Sequence, residues 1–246
     1  MWILFSPEYL EYTLMGIILI PGLIFAMVAS ARVKTTFNKY DQVLSSKGLT
    51  GAQVVQKILD AEGIFDIQVQ KGNTSELVDN FNPKTKVITL SNKVYEGTSI
   101  SAIGVAAHET GHAVQLAKGY KPMKIRTALA YTSNFLSMFV WPLIIIGIVL
   151  DFAYVGGVVG KTFLWVGVAF FGVSTLFSLI TLSVEFNASN RALKLLVSTG
   201  CVDEMEVKGC KKVLSSAAMT YVAALVVSIL ELLRFVLFFL VRSRDN

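Results

Sequence analysis

His108 and His112 are the only histidines in the 246-residue chain, and they stand four apart in Ala107-His108-Glu109-Thr110-Gly111-His112-Ala113. On a helix, positions i and i+4 share a face and lie about 6 Å apart along the axis. Two imidazoles placed so can grip one Zn²⁺ at about 2.0–2.1 Å. Glu109 is rotated off that face, yet it stays within reach of a water beside the metal and can take its proton. The chemistry this spacing offers is metal-assisted hydrolysis of a peptide carbonyl, with His108 and His112 as metal ligands and Glu109 as general base. The bland alternative is two histidines on a helix by accident. The setting favours a site: Ala106, Ala107, Gly111 and Ala113 are small and let a neighbouring strand, helix or substrate approach closely.

The elements that must carry this helix follow from hydropathy. Hydrophobic residues make up 54% of the chain and charged residues only 16%, against about 25% charged in soluble domains. The apolar residues gather in four runs, at 13–31, 128–150, 162–183 and 217–241, each long enough to cross a hydrocarbon core. Pro21-Gly22 is expected to kink the first. Ala29-Ser30-Ala31 resembles a signal-peptide cleavage site, but no Lys or Arg precedes the run, whereas Glu8 and Glu11 do.

Charge sets the expected orientation. Arg32, Lys34, Lys39 and Lys47 follow the first run and Lys118, Lys121, Lys124 and Arg126 precede the second, which places 32–127 in the cytoplasm and the N-terminus outside. The second and third runs are joined outside, with only Asp151 and Lys161 as charges. Arg191, Lys194, Lys208, Lys211 and Lys212 bring 184–216 back to the cytoplasm, and Arg242 and Arg244 run against the pattern. The net charge of +5 is thereby spent on topology, and no motif supports a nucleic-acid partner. The expected parts are 1–31, a transmembrane helix; 32–127, a cytoplasmic α+β region; 128–183, a transmembrane hairpin; 184–216, a cytoplasmic helix; and 217–246, a last transmembrane helix and tail. The expected fold class is a mainly α membrane protein with about four transmembrane helices and a small α+β region bearing the His108–His112 helix. Cys201 and Cys210 could pair only with each other and read as ordinary thiols.

Within 32–127, Thr50 and Gln53 form a candidate capping box before Val54, Val55, Ile58 and Leu59, and Gly63 stops that helix. Alternation predicts strands at 65–70 and 85–90, with a turn at Asn82-Pro83. The second strand is a candidate edge for pairing with a substrate backbone. After Gly97, Thr98 or Ser99 caps a helix that runs to about Lys118 and ends at Gly119.

A catalytic zinc takes three protein ligands and water. With no third histidine and both cysteines remote, the third ligand is expected to be a carboxylate, and Glu185 stands out. It lies just past the third run, on what reads as a continuation of that helix. Two crossings separate it from His112, and an even number returns the chain to the same face. Glu231 fails this test because it sits inside the fourth run. The alternative for Glu185 is an interfacial carboxylate paired with Arg191 or Lys194. Glu231 and Arg234, three apart, read as a mutually satisfied pair, with a transporter site as the weaker reading.

At these residues the chain resembles the YugP-like neutral zinc metallopeptidases, a family of bacterial membrane proteins. The resemblance spans nearly the whole chain: Leu49-Thr50-Gly51, Asn82-Pro83, Leu90-Ser91, Val94-Tyr95, the run from Ala106 to Gln115, Gly119-Tyr120, Pro122, Glu185-Phe186 and Ala188-Ser189. It implies a gluzincin-like peptidase with one Zn²⁺ held by His108, His112 and Glu185, Glu109 as catalytic acid and base, and a peptide or membrane protein as substrate. The family pattern leads one to expect an acid two or four positions after Glu185, where this chain has Asn187 and Ser189. Arg191, Asn190, Tyr95 and Tyr120 are the candidates for stabilising an oxyanion. The rival expectation is a catalytically weak or inactive relative that binds a membrane client.

Overall fold

The structure is a computed structural model and describes residues 15–72, 79–152 and 157–242. Residues 13 and 14 of the first expected span, Glu8, Glu11 and Arg244 lie outside them. Seven α-helices and three strands are described. They are α1 (Ile20–Asp41), α2 (Gly51–Ala61), β1 (Gln68–Lys71), β2 (Asn80–Asn82), β3 (Val87–Leu90), α3 (Asn92–Tyr95), α4 (Ile100–Ala117), α5 (Lys121–Phe152), α6 (Gly157–Ser198) and α7 (Glu204–Arg242). A 3₁₀ turn, Gly16–Leu19, leads into α1. Pro21 therefore sits in the first turn of α1, where its missing N–H would have had no partner anyway, rather than at a mid-helix kink. Four helices, Gly16–Asp41, Lys121–Leu150, Val158–Ser198 and Glu204–Leu240, are long and apolar enough to cross a membrane. Each overlaps one of the four apolar runs. This is a mainly α membrane protein with a small α+β region.

Residues 15–27, 128–152, 157–180 and 221–242 belong to one compact unit, helical throughout these described residues. Its close contacts run through glycine: a Cβ on Gly147 would lie 2.5 Å from the Leu164 side chain, and one on Gly22 would lie 2.9 Å from Leu230. Such small-residue contacts let helices approach in lipid, where apolar burial alone gives no drive. Val140, Ile144, Leu164, Val168 and Phe235 fill its interior. Only 11% to 28% of each apolar window is buried, so most large side chains, Phe135, Trp141 and Leu176 among them, point outward. Hydrocarbon makes that exposure acceptable. Arg234 hydrogen-bonds Glu231 within the same helix, the mutual pairing their spacing predicts.

The second unit holds residues 28–127 and 181–220. Thr50 and Gln53 exchange both bonds of the capping box on α2, and Gly63 ends it at φ +68°. On α4 the cap is Ser99, whose hydroxyl accepts the Ala102 N–H, and Gly119 follows it at φ +66°. The sheet order is β1-β3-β2, with β1 parallel and β2 antiparallel to β3. The strand expected at 85–90 is thus central, not an edge. Asn82 Oδ1 accepts the Lys84 and Thr85 N–H groups and turns the chain back on itself, so that Asn80–Asn82 covers the far side of β3. The first strand starts at Gln68 rather than 65, because Phe65 leaves the sheet and is 82% exposed. Val54, Ile58, Ile88, Leu90, Ile103 and Ala107 form one core with Val184, Leu196, Cys210 and Leu214 from α6 and α7. Cys201 and Cys210 are both free and buried.

Candidate active site

Helix α4 is buried along nearly its whole length, so His108, Glu109 and His112 are positioned by packing on several sides. The decisive contact is at Gly111: a Cβ there would sit 2.5 Å from the backbone oxygen of Ala188. The absent side chain lets α4 lie directly on the stretch of α6 that carries Glu185. His108 Nε2 is 3.2 Å and His112 Nε2 3.5 Å from Glu185 Oε2. The imidazoles meet edge-on with centroids 4.8 Å apart. One ligand atom from each of the three residues lies within 4.8 Å of the others. Two imidazole nitrogens and a carboxylate oxygen converging in this way are a donor set that zinc accepts, and the residues fit that ion.

Each imidazole is held from behind. Ser189 Oγ lies 3.1 Å from His108 Nδ1, within hydrogen-bond distance. Gln115 Oε1 lies 3.0 Å from His112 Nδ1. The Gln115 amide is itself oriented, because its N–H₂ donates to Val184 O at 2.8 Å and to Asn187 Oδ1 at 3.0 Å. Asn187 Oδ1 also accepts from Arg191 Nε at 2.8 Å, and the Arg191 guanidinium lies 5.8 Å from the Tyr120 ring centroid. With both amide hydrogens committed to carbonyl oxygens, Gln115 can offer His112 only its oxygen. In the neutral imidazole this places the His112 proton on Nδ1 and a lone pair on Nε2. Asn187 and Ser189, the positions where an acid was expected, do the orienting with neutral groups.

Glu185 is 2% exposed, and Arg126 Nη2 stands 3.5 Å from its Oε1, the oxygen turned away from the histidines. Among the described residues it pairs with His108, His112 and Arg126, and not with Arg191 or Lys194. Glu109 is buried, which pushes its carboxyl up to about 7. His108 and the Phe81 backbone N–H oppose the rise, while Glu185 and Asp79 add to it. A carboxyl in that range can both take and return a proton near neutral pH.

Of the four oxyanion candidates, Arg191 and Tyr120 belong to the supporting chain, Tyr95 packs against the core and Asn190 is exposed. Sequence reasoning missed Gln115 and the site role of Arg126. Gln115 falls one turn after His112, a spacing that marks it as a neighbour on the same face. Arg126 carried no signal of its own beyond a charge before a span.

A family profile described as "Putative neutral zinc metallopeptidase" matches residues 15–240. The chain is 43% identical over 219 residues to the Bacillus subtilis (strain 168) protein named "Putative membrane protease YugP", a match covering 89% of this chain and 92% of that one. No solved structure matches it.

Proposed function

Because the chain belongs to that zinc metallopeptidase family, we propose that it is an integral-membrane zinc endopeptidase using His108, His112 and Glu185 as ligands and Glu109 as general base. The observation that carries this reading is the meeting of both imidazoles on one buried carboxylate, with each Nδ1 already occupied by an orienting partner. Bound there, zinc supplies a Lewis acid and lowers the pKa of its water to about 7.

The chain's own residues do the rest. Glu109 takes a proton from the attacking water at its carboxylate and hands it to the leaving amine. Arg126 holds Glu185 Oε1, which leaves Oε2 for the metal. An extended substrate pairs along β2, an edge of the described sheet, whose Phe81 N–H reaches the Glu109 carboxyl. The site faces the cytoplasm, on the side marked by the Lys and Arg residues that flank the spans. The non-catalytic alternative drew on the absent acids at 187 and 189. Both positions carry side chains that serve the histidines, so its motive weakens.

The test is purified protein with a casein-like substrate, with and without chelator, beside Glu109→Gln and Glu185→Ala. Glu109→Gln is expected to keep its zinc and lose cleavage, and Glu185→Ala to lose the zinc. Proteolysis unchanged in Glu109→Gln would end this mechanism.

A further inference from the structure

A second concave site lies in the same unit, away from the histidines. It is a groove of about 670 Å³ between α1 and α7, lined by Arg32, Thr36, Lys39 and Tyr40 from one helix and by Lys208, Lys211, Lys212, Ser215, Ser216 and Met219 from the other. The spacing puts each set on one helical face: 32, 36, 39 and 40 on α1, and 208, 211, 212, 215 and 219 on α7. The helices close together where Gly209 meets Tyr40, since a Cβ on Gly209 would lie 3.1 Å from the tyrosine ring. No acid lines the groove.

Five cations therefore share one concavity. Elsewhere in the unit, Lys47, Lys71, Lys86, Lys93 and Lys118 each face an Asp or Glu within 3.1 Å. Among the described residues, the groove cations have no such partner. Of the nearby acids, Asp41 is engaged by Lys93 and Ser99, Asp203 by Lys47 and Ser46, and Glu206 by Ser45 and the Ser46 N–H, while Glu204 is exposed one turn before Lys208. Like charges one turn apart on a helix repel, so this arrangement costs stability until an anion sits among them.

Position identifies the anion. Arg32 is the first residue after the apolar run 13–31, and Met219 lies just inside the run 217–241. Arg32 and Met219 thus mark the end of the groove nearest the apolar runs, and Tyr40 and Lys208 lie two to three turns further along their helices. We propose that it binds the phosphate headgroup of an anionic membrane lipid, the phosphate among the cations and hydroxyls and the glycerol against Met219. A basic pocket between helices at the membrane surface recognises lipid headgroups by this means. The proposal does not depend on the metal site.

The test uses the full chain in neutral detergent and native mass spectrometry. Phosphatidylglycerol is compared with phosphatidylcholine of the same acyl chains, with inorganic phosphate as competitor. Phosphatidylglycerol should be retained at least about tenfold better than phosphatidylcholine. Each removed cation should weaken it about fivefold, so Lys208→Gln/Lys211→Gln/Lys212→Gln loses about a hundredfold. The corresponding triple arginine variant and Lys71→Gln/Lys86→Gln, outside the groove, should bind as wild type. Equal retention of the two lipids, or an unaffected triple Gln variant, overturns the proposal. Full displacement by inorganic phosphate at lipid-equivalent concentration also overturns it, by assigning the groove to a free anion.

Discussion

Replacing Gln115 by leucine removes the group that dictates which nitrogen of His112 carries its proton. The two side chains are close in volume and Gln115 is fully buried, so leucine fills the space without leaving a large cavity. Three hydrogen bonds disappear, to His112 Nδ1, Val184 O and Asn187 Oδ1. Val184 O stays inside a helix and Asn187 Oδ1 keeps the Arg191 donor, so the uncompensated loss falls on His112. Removing an orienting partner of a metal ligand costs about 10–100-fold in metal affinity, or about 1.4–2.7 kcal/mol. The assay is zinc competition against a chromogenic chelator, run beside a thermal melt of the metal-free protein. A zinc Kd weakened within that range refers the loss to His112 rather than to folding. A Kd within about threefold of wild type, whatever the melt shows, would refute the reasoning and reduce Gln115 to packing. Gln115→Glu provides a second check: it restores an acceptor for His112 but turns a carboxylate toward Val184 O and Asn187 Oδ1. It is therefore expected not to rescue binding.

Three further outcomes are expected. Ser189→Ala should weaken zinc by about tenfold, at the lower end of the same range, because a lone hydroxyl holds His108; an unchanged Kd removes Ser189 from the site. Gly111→Ala places a methyl 2.5 Å from Ala188 O, so the helices must part; a cost of about 1–3 kcal/mol in the melt together with loss of zinc is expected, and full zinc binding would show that the close approach is dispensable. Burial raises the Asp79 carboxyl, against the pull of the Ser91 N–H and hydroxyl. A carboxyl whose folded pKa lies above its unfolded value costs stability at high pH, and the cost vanishes as pH falls through the folded pKa toward the unfolded value. Asp79→Asn, which keeps an acceptor for Ser91, should therefore melt higher than wild type at about pH 8 and converge with it on acidification. A difference that does not change with pH would sink that account.

The parts of the site readable in the sequence were those set by local spacing or by parity. The four-residue interval between His108 and His112 needs only a helix, and the return of Glu185 to the same face needs only a count of crossings. The caps at Thr50, Ser99 and Gly119 were equally local. What sequence reasoning missed depends on which elements touch. Strand β2 is three residues long and reads Asn-Phe-Asn, too short for alternation to show; its pairing with β3 is what turned an expected edge into a central strand. Arg126 looked like one more topological charge until the fold set it beside Glu185.

The neutral partners follow from the same geometry. Glu185 and Glu109 already place two carboxyls in a buried space, with Arg126 the positive charge drawn up to Glu185. A further acid at 187 or 189 would stand within one turn of Glu185 on the same helix, adding like-charge repulsion and another desolvation cost. A hydroxyl and an amide orient the imidazoles at much lower electrostatic cost. They also enrich the ligands less than carboxylates would, which leaves a bound metal the stronger Lewis acid. On that argument Ser189→Asp should tighten zinc yet slow turnover, a split that separate measurements of Kd and kcat would read directly; a variant that gained both would contradict it.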